Sequence, residues 1–358
     1  MLNLFQHLTK SKSFETLKRV QGDRKGLFQR SLRKENLFLL IFALAIILIP
    51  MSVKNKYYII VMNIVGLNTI VVVGLNLLIG FAGQISLGHA AFYGMGAYLS
   101  AVLTATYSFP PWPTIVIAMI ATGTVAYFVG YPSLKLRGHY LVMATLGFSI
   151  IVHIFMVELD KITGGPSGFP GIPNLSIGRL VFDNDFKNFY LIWTLTFLCI
   201  LASINLVNSR VGRALRAIHG SEIAANTLGV DTDKYKTKVF VLSAIFASLA
   251  GSLYAHYITF ISPRSFDFYY SIQVVTMVIV GGMGSVWGSF FGAGLLTVLS
   301  EILHVAEKYN IIAYGAILTI VLIFLPEGVL VGLYNLYQRR KIKALIEEEK
   351  ESSFESRI

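Results

Sequence analysis

One stretch of the sequence, from Tyr57 to Leu134, contains no aspartate, glutamate, lysine or arginine. A helix that crosses a membrane needs about 20 predominantly apolar residues, so this stretch must hold several crossings. Shorter charge-free runs cover residues 37–53, 140–157, 188–209, 239–263 and 268–300. Charged residues make up 14% of the chain, against about 25% in soluble proteins, which is too few to cover a water-exposed surface. The sequence therefore predicts an all-α polytopic membrane protein.

The apolar runs divide into about ten predicted transmembrane helices. Their expected bounds are 37–53, 57–80, 84–106, 113–131, 139–157, 189–207, 239–260, 270–284, 287–303 and 311–331. They define a transmembrane domain over residues 37–331, between a basic extension, residues 1–36, and a charged tail, residues 332–358. The first apolar run follows a long polar stretch without a small-residue cleavage site, so it is interpreted as a true span. Residues 110–113, Pro-Pro-Trp-Pro, are predicted to form a turn, because proline cannot continue a helix.

The charge distribution predicts which loops face the cytoplasm. The net charge of +11 comes mainly from the chain ends and from short loops, which is the positive-inside pattern. In this frame both termini and the loops 133–139 and 208–238 are cytoplasmic, and the loop 158–187 is external. Lys54 and Lys56 are the exceptions. Lipid is the expected environment, and nucleic acid is not an expected partner, because no basic face remains once the spans are removed.

No site for enzymatic chemistry is recognisable in the sequence. The single cysteine, Cys199, lies in an apolar run, so neither a disulfide framework nor a cysteine metal site is expected. No histidine and acidic residues have metal-ligand spacing, and no phosphate-binding loop, acyl-transfer triad or carboxylate pair is found. We therefore expect neither enzymatic activity nor a cofactor bound by this chain. Acids are almost absent from the spans, which argues against a proton-driven pump.

Two glycine-dense stretches, residues 80–96 and 281–294, interrupt the apolar pattern. When the stretches are aligned, Gly83, Phe92, Gly94 and Gly96 fall on Gly281, Phe290, Gly292 and Gly294. The chain thus has two weakly similar halves, and interrupted apolar segments at corresponding places indicate a transport pathway. Small residues four apart equally allow helix backbones to pack closely. The two roles are not exclusive, and both remain open.

Three polar residues, Gln84, Ser86 and His89, follow the start of the first glycine-dense stretch. Polar groups inside membranes face a cavity or a partner helix. These side chains could hydrogen-bond to a solute, or they could tie helices together, as such residues do in bundles. His153 and His256, each alone in an apolar span, are interpreted as packing or helix-end residues.

The loop 208–238 contains the pattern of a short helix. Ser221 is a plausible N-cap for a helix from Glu222 to Leu228, and Gly229 suits a left-handed C-cap. Such a helix would present Ile223, Ala224 and Leu228 on one side, and Ala225 is small enough for close contact. It could be a docking site for a partner or an amphipathic helix lying on the membrane surface.

Five segments of the sequence carry a family resemblance. They are Arg213-Ala214-Leu215-Arg216-Ala217 through Glu222-Ile223-Ala224-Ala225 to Gly229; Gly74 to Phe92; Leu136-Arg137-Gly138-His139-Tyr140 with Thr145-Leu146-Gly147-Phe148; Thr163-Gly164-Gly165-Pro166-Ser167-Gly168 with Gly171-Ile172-Pro173; and Gly281 to Gly288. The first resembles the cytoplasmic coupling loop of ATP-binding-cassette importer permeases, whose Glu-Ala-Ala…Gly pattern docks into the ATPase subunit. The other four resemble the larger permease subunit of branched-chain amino acid importers. The resemblance covers roughly residues 60–330.

The resemblance implies roles for particular residues. Coupling to the ATPase falls to Arg213, Glu222, Ala224, Ala225 and Gly229, and the translocation path to Gly83, Gln84, Ser86, His89, Gly281, Gly282 and Gly284. Docking of an external binding protein falls to an exposed turn at Thr163, Gly164, Gly165 and Pro166. The sequence departs from the family pattern at His139, where an acid is common, and at Ile223, an insertion common in this branch.

The resemblance also implies an assembly. Its members would be two permease subunits, most simply a heterodimer, two ATPases that bind ATP and Mg²⁺, and an external substrate-binding protein. The expected location is the bacterial cytoplasmic (inner) membrane, and the favoured substrates are leucine, isoleucine and valine. Import of urea or short amides is the close alternative. An ion-driven secondary transporter and an assembly protein without transport activity are the readings from other classes.

Overall fold

The computed structural model describes residues 39–53, 55–136, 138–178 and 180–304, together with Gly315 and Thr319. The basic extension 1–36, the tail 332–358 and, apart from those two residues, the last predicted span 311–331 lie outside the described residues. The chain falls into two compact units, Met1–Lys54 and Asn55–Ile358. The boundary between the units thus lies inside the predicted domain 37–331.

Helices form most of the described chain. The first unit contains α1, Leu39–Ser52. The second unit contains α2 (Lys56–Asn76), α3 (His89–Ala105), α4 (Pro111–Ser133), α5 (His139–Glu158), α6 (Asp160–Thr163), α7 (Asp185–Asn208), α8 (Arg210–Gly220), α9 (Glu222–Thr227), α10 (Thr232–Ile258), α11 (Phe268–Gly281) and α12 (Val286–His304). Helix α2 continues as a π-helix over Leu77–Phe81. π-Helical segments are rare in proteins, and those that occur often lie at functional sites.

Six helices in the described ranges are long and apolar enough to cross a membrane. They are α2 with its π-helical end, α4, α5, α7, α10 and α12. Helices α1 and α11 are apolar but shorter. Each predicted span from 37–53 to 287–303 contains one of the helices. The all-α membrane class is therefore confirmed, and about ten spans is consistent with the described part of the chain.

Helices α3 and α10 approach each other at backbone distance in the centre of the second unit. A Cβ on Gly96 would lie 2.2 Å from the carbonyl oxygen of Ser248, and one on Gly251 would lie 1.9 Å from that of Tyr93. The Ser252 hydroxyl donates to the Gly96 carbonyl at 3.0 Å. A larger side chain at either glycine would separate the helices. Close packing is therefore the structural role of Gly96, one of the two roles that the sequence left open.

Two predicted boundaries differ from the structure. Helix α4 begins at Pro111, inside the predicted turn, because proline in the first turn lacks only an N–H that has no helical partner there. Helix α3 begins at His89 and not at residue 84, because Gly83 has a φ of +68° and the backbone is irregular as far as Gly88. The first glycine-dense stretch is thus a break between two helices.

The segment between α5 and α7 is a folded loop. Its strands are β1 (Phe169–Pro170), β2 (Ser176–Ile177) and β3 (Leu180–Val181); β4 (Phe260–Ile261) follows α10. Strand β1 pairs antiparallel with β4, and β2 pairs antiparallel with β3. Lys187 donates to the Asp183 carboxylate at 2.7 Å, and this hydrogen bond lowers the pKa of that carboxyl.

Two partly buried contacts connect this loop to the helices. Trp112 Nε1 donates to the carbonyl of Ser176 at 2.8 Å, and His256 Nδ1 lies 2.8 Å from the carbonyl oxygen of Pro173. Because a carbonyl only accepts, Nδ1 carries the proton, and Nε2 accepts from the Ser100 hydroxyl at 2.8 Å. His256, interpreted as a packing or helix-end residue, therefore joins α3 and α10 to the loop.

Candidate functional site

The short helix predicted in the loop 208–238 is present as α9. The Ser221 Oγ accepts from the Ala224 N–H at 3.3 Å, as an N-cap does. Gly229 has a φ of +84°, and the Val230 N–H bonds the Ala225 carbonyl at 3.0 Å, which closes the C-terminal end. The predicted caps are confirmed, and the helix ends at Thr227, one residue earlier than expected.

Helix α9 has one buried residue, and most of its other side chains are exposed. Ala225 is buried, whereas the side chains of Ile223 and Leu228 are 68% and 83% exposed. Ala224 is exposed as well, and so is Arg213 on α8. Ala225 is thus buried as its small size suggested, while Asn226 and Thr227 are exposed together with the predicted outer residues. The exposed apolar side chains of Ile223 and Leu228 are here called the α9 outer face, and they lie within a loop rich in basic residues.

Glu222 is bound to its own chain. Lys236, on the second turn of α10, donates to Glu222 Oε1 at 2.6 Å and to the carbonyl oxygen of Leu134 at 2.9 Å. Asp233 lies 3.5 Å from the same ammonium, whose side chain is only 2% exposed. A buried ammonium needs such compensation. The carboxylate therefore links α9 to α10 and, through Lys236, to the end of α4.

The helix that precedes α9 touches the first glycine-dense stretch. A Cβ on Gly83 would lie 3.2 Å from His219 Nδ1 and 3.5 Å from His219 Cα. His219 is near the end of α8, two positions before the Ser221 cap. Gly83 sits just beyond the π-helical end of α2. The loop 208–238 and the break between α2 and α3 are thus in direct contact.

The two glycine-dense stretches meet each other. A Cβ on Gly80 would lie 2.1 Å from the Gly284 amide nitrogen, so the two backbones are in contact. Asn76 holds this contact: its Nδ2 donates to the Ser285 carbonyl at 2.8 Å and to Ser289 Oγ at 2.7 Å, and its Oδ1 accepts from the Gly284 N–H at 3.0 Å. The structure therefore brings together the two interruptions that the sequence showed as separate.

Polar residues of the first break are mostly engaged within the chain. Ser86 is buried and accepts from the Gly88 N–H at 3.3 Å, while buried His89 bonds Ser243 on α10 at 2.5 Å. Gln84 is half-buried and donates to the Ala82 carbonyl at 3.2 Å. Ser86 therefore stabilises the turn before α3, and His89 connects α3 to α10. Nδ1 of His89 has no hydrogen-bond partner.

The remaining glycines that the sequence predicts for the translocation path differ in their exposure. Gly281 and Gly282 are buried, and a Cβ on Gly281 would lie 2.2 Å from the carbonyl oxygen of Gly288. Gly83 and Gly284 are exposed, as are their apolar neighbours Ile85 and Met283. The surface formed by these last four, the glycine-turn surface, is where irregular backbone meets the surroundings of the chain.

The predicted turn at Thr163 is only partly exposed. Thr163 is buried, with its hydroxyl donating to the Met156 carbonyl at 2.8 Å, and Gly165 is buried too, with a φ of +55°. The exposed residues of this turn are Pro166 and Ser167. The expectation of a fully exposed turn was wrong at Thr163 and Gly165, because these residues form the turn internally.

Three residues of this arrangement were missed by sequence reasoning. Lys236 counted only as a positive charge in a cytoplasmic loop, Asn76 only as a member of a motif, and His219 not at all. Lys236 precedes Val239 and Phe240 by three and four residues, so a helix places it on their apolar face, which is a signal of burial; Asn76 is a polar residue in a charge-free run. His219 has no comparable signal. In the described ranges no group of three histidine, cysteine or acidic residues could hold a metal ion.

Comparison with known proteins agrees with this architecture. Residues 57–326 match the family described as "branched-chain amino acid transport system / permease component". The high-affinity branched-chain amino acid transport system permease protein LivM of Salmonella typhimurium is 33% identical over 280 residues, which cover 72% of this chain and 66% of the relative. The aligned region thus spans just under two thirds of that relative's length. No solved structure matches the chain.

A second kind of permease is also similar. LivH of Escherichia coli is 27% identical over 285 residues, 73% of this chain and 90% of the relative. BraD of Pseudomonas aeruginosa is 28% identical over 287 residues, again 73% and 90%. Both carry the name of high-affinity branched-chain amino acid transport system permease proteins.

Proposed function

The chain belongs to the branched-chain amino acid transport system permease family, and on this premise we propose that it forms half of the translocation path of an ATP-driven importer. The proposed substrates are leucine, isoleucine and valine, the class named for the LivM and LivH relatives. The chain is a transport subunit, and ATP and Mg²⁺ bind to separate ATPase subunits. Several apolar helices make it a multi-pass membrane protein.

The observation that carries this proposal is the two-sided geometry of α9. Its inner side is fixed to α10 and α4 through Glu222 and Lys236. Its outer side presents Ile223 and Leu228, which are 68% and 83% exposed. Exposed apolar residues ringed by charge are typical of a protein interface. A helix anchored to spans on one side and open on the other can transmit the movement of a bound ATPase.

The route of that movement follows the contacts already described. Helix α8 carries His219 against Gly83, and the break at Gly83 adjoins Gly80, which touches Gly284. Irregular backbone at membrane depth is tolerated where it is buried in protein or lines a water-filled cavity. The glycine-turn surface therefore faces the path or the second permease, and it would reorient when α9 moves.

The rest of the assembly follows from charge and from the two kinds of relative. The chain resembles both LivM and LivH, which supports a heterodimer with a second permease. The basic loop 208–238 and both termini lie in the cytoplasm, and the membrane is the bacterial inner membrane. The loop between α5 and α7 is then external, and its exposed Pro166 and Ser167 offer a docking point for a binding protein.

The experiment uses the importer co-expressed with its ATPases and second permease. Ile223→Asp and Leu228→Asp place charge on the α9 outer face without touching the Glu222–Lys236 contact, so both variants should fold and lose co-purifying ATPase. Val181→Asp, at an exposed apolar residue of the external loop, is the matched control and should retain it. Unchanged ATPase recovery and leucine uptake in both α9 variants would refute the coupling role.

Uptake into proteoliposomes tests energy source and substrate together. Labelled leucine should enter only with ATP, and excess isoleucine or valine should compete. Competition by urea or acetamide but not by valine would identify the amide-importing alternative. Uptake that persists without ATP and collapses with the ion gradient would identify a secondary transporter instead.

A further inference from the structure

A groove opens between α4 and α10 at the basic end of the bundle. Its volume is about 580 Å³, and its lining includes Tyr127 and Tyr131 of α4, Lys234, Lys238 and Val241 of α10, and two aspartates at the start of α10. It shares no lining residue with the α9 outer face or with the glycine-turn surface. None of its lining side chains takes part in the coupling contacts except Asp233, through Lys236.

Within the described residues, the two lysines of the groove have no acidic partner, whereas each of its two acids has a contact within the chain. Asp231 Oδ1 accepts from the Lys234 N–H at 3.1 Å, and Asp233 lies 3.5 Å from the buried Lys236 ammonium. In the part of the chain that the structure describes, the exposed ammoniums of Lys234 and Lys238 have no acidic partner. These two lysines are one helical turn apart on α10 and share a face. The groove therefore offers two cations to one anionic group.

Aromatic residues form the opposite wall. The rings of Tyr127 and Tyr131 stack with centroids 6.2 Å apart, and the Lys135 ammonium lies 4.5 Å above the Tyr131 ring. Both rings are half exposed. Tyrosines and lysines in this arrangement are typical of the level where lipid headgroups meet the hydrocarbon.

The depth of the groove distinguishes a lipid from a soluble subunit. Helix α4 ends at Ser133, so Tyr127 lies roughly 9 Å back along the helix, inside an apolar span long enough to cross a membrane. A water-soluble ATPase docked at the end of the bundle does not reach that level. An acyl chain does, because it runs from a headgroup beside Lys234 and Lys238 past Val241 and the tyrosine rings.

We propose that this groove binds an anionic glycerophospholipid, with its phosphodiester between Lys234 and Lys238 and an acyl chain along Tyr127 and Tyr131. Basic pockets between transmembrane helices are known to hold acidic headgroups. The assignment of this lipid to the inner leaflet depends on the proposed orientation of the chain. The groove and its chemistry do not depend on it. The lipid lies beside Lys236, the residue that joins α9 to α10.

The test is native mass spectrometry of the complete importer released from nanodiscs of phosphatidylglycerol and phosphatidylethanolamine. Phosphatidylglycerol should be retained preferentially by the unmodified chain. The double variant Lys234→Gln/Lys238→Gln should lower that retention about tenfold or more, since each lysine near a lipid surface contributes appreciably to headgroup attraction. Lys56→Gln/Lys161→Gln, which removes two exposed lysines at the other end of the bundle, is the control and should retain the lipid.

Several outcomes would overturn the proposal. Unchanged retention in the Lys234/Lys238 variant would show that the lysines do not hold the headgroup. Equal retention of phosphatidylethanolamine would show that negative charge is not recognised. Displacement of the lipid by millimolar inorganic phosphate would identify a site for free anions, and loss of a protein subunit with lipid retention unchanged would identify a protein interface.

Discussion

The Lys236 ammonium donates to the Glu222 carboxylate at 2.6 Å, across the junction between α9 and α10. The acid of the Glu-Ala-Ala-type motif thus faces its own chain, while the apolar residues beside it face outward. Glu222 therefore holds α9 against α10 and the end of α4 through Lys236. A partner bound to the α9 outer face would pull on α10 and α4 through this contact.

The Glu222–Lys236 pair should show strong energetic coupling. Glu222→Gln and Lys236→Met, alone and together, form a double-mutant cycle, with the free energy of unfolding measured in mixed micelles. We expect a coupling energy of about 1–3 kcal/mol, because Lys236 is almost fully buried and removal of its partner leaves a charge uncompensated. The exposed Asp183–Lys187 pair is the control and should couple more weakly. Equal coupling in the two pairs would contradict the structural importance of the buried one.

Gly80 should not tolerate alanine. A Cβ built on Gly80 would lie 2.0 Å from Asn76 Oδ1 and 2.1 Å from the Gly284 amide nitrogen. Neither group can move away without breaking the hydrogen bond between them. We expect Gly80→Ala to lower the free energy of unfolding by about 1–3 kcal/mol or more. Gly147→Ala, on α5, is the control: nothing lies within 4 Å of its Cβ, so stability should be unchanged or slightly higher. A Gly80→Ala variant as stable as Gly147→Ala would disprove the contact.

Local signals explain what could be predicted. The caps of α9 depend on Ser221 and Gly229, each acting within a few residues, and the structure has both. The spans depend on apolar composition, and each described one contains a helix. The boundaries at Pro111 and His89 differ from the predicted ones, because proline is tolerated in a first turn and glycine permits a helix either to continue or to break.

Distant contacts explain what could not. Lys236 meets Leu134, which is 102 residues away, and Asn76 meets Ser285, which is 209 residues away. No local pattern encodes such a pair. The sequence did identify both glycine-dense stretches, but their mutual contact through Gly80 and Gly284 depends on how α2 and α11 pack. Sequence analysis therefore identified the site residues that belong to a local motif. It missed those that come together only when the chain folds.

Gly229 should be required because its backbone is left-handed, and not because a side chain there would clash with a neighbour. No atom lies within 4 Å of a Cβ built there, but its φ of +84° is unfavourable for other residues. We expect Gly229→Ala to cost about 1 kcal/mol in the free energy of unfolding, and Gly229→Asn to cost less. Gly220→Ala, also without neighbours within 4 Å but with no left-handed φ, should be close to neutral. Identical stabilities for the two alanine variants would contradict the C-cap.

His219 should affect the yield of transport per ATP. Its ring rests against Gly83, so His219→Ala removes the contact between α8 and the break that leads to Gly284 while leaving Glu222 and Lys236 in place. Residues that relay coupling typically change it by 0.5–2 kcal/mol, so leucine imported per ATP hydrolysed should fall roughly two- to thirtyfold. Assembly and basal ATP hydrolysis in proteoliposomes should remain. His139→Ala, at an exposed histidine at the start of α5, should leave the ratio unchanged. If both variants kept the unmodified ratio, the movement of α9 would have to reach the glycine turns by another route, through α10.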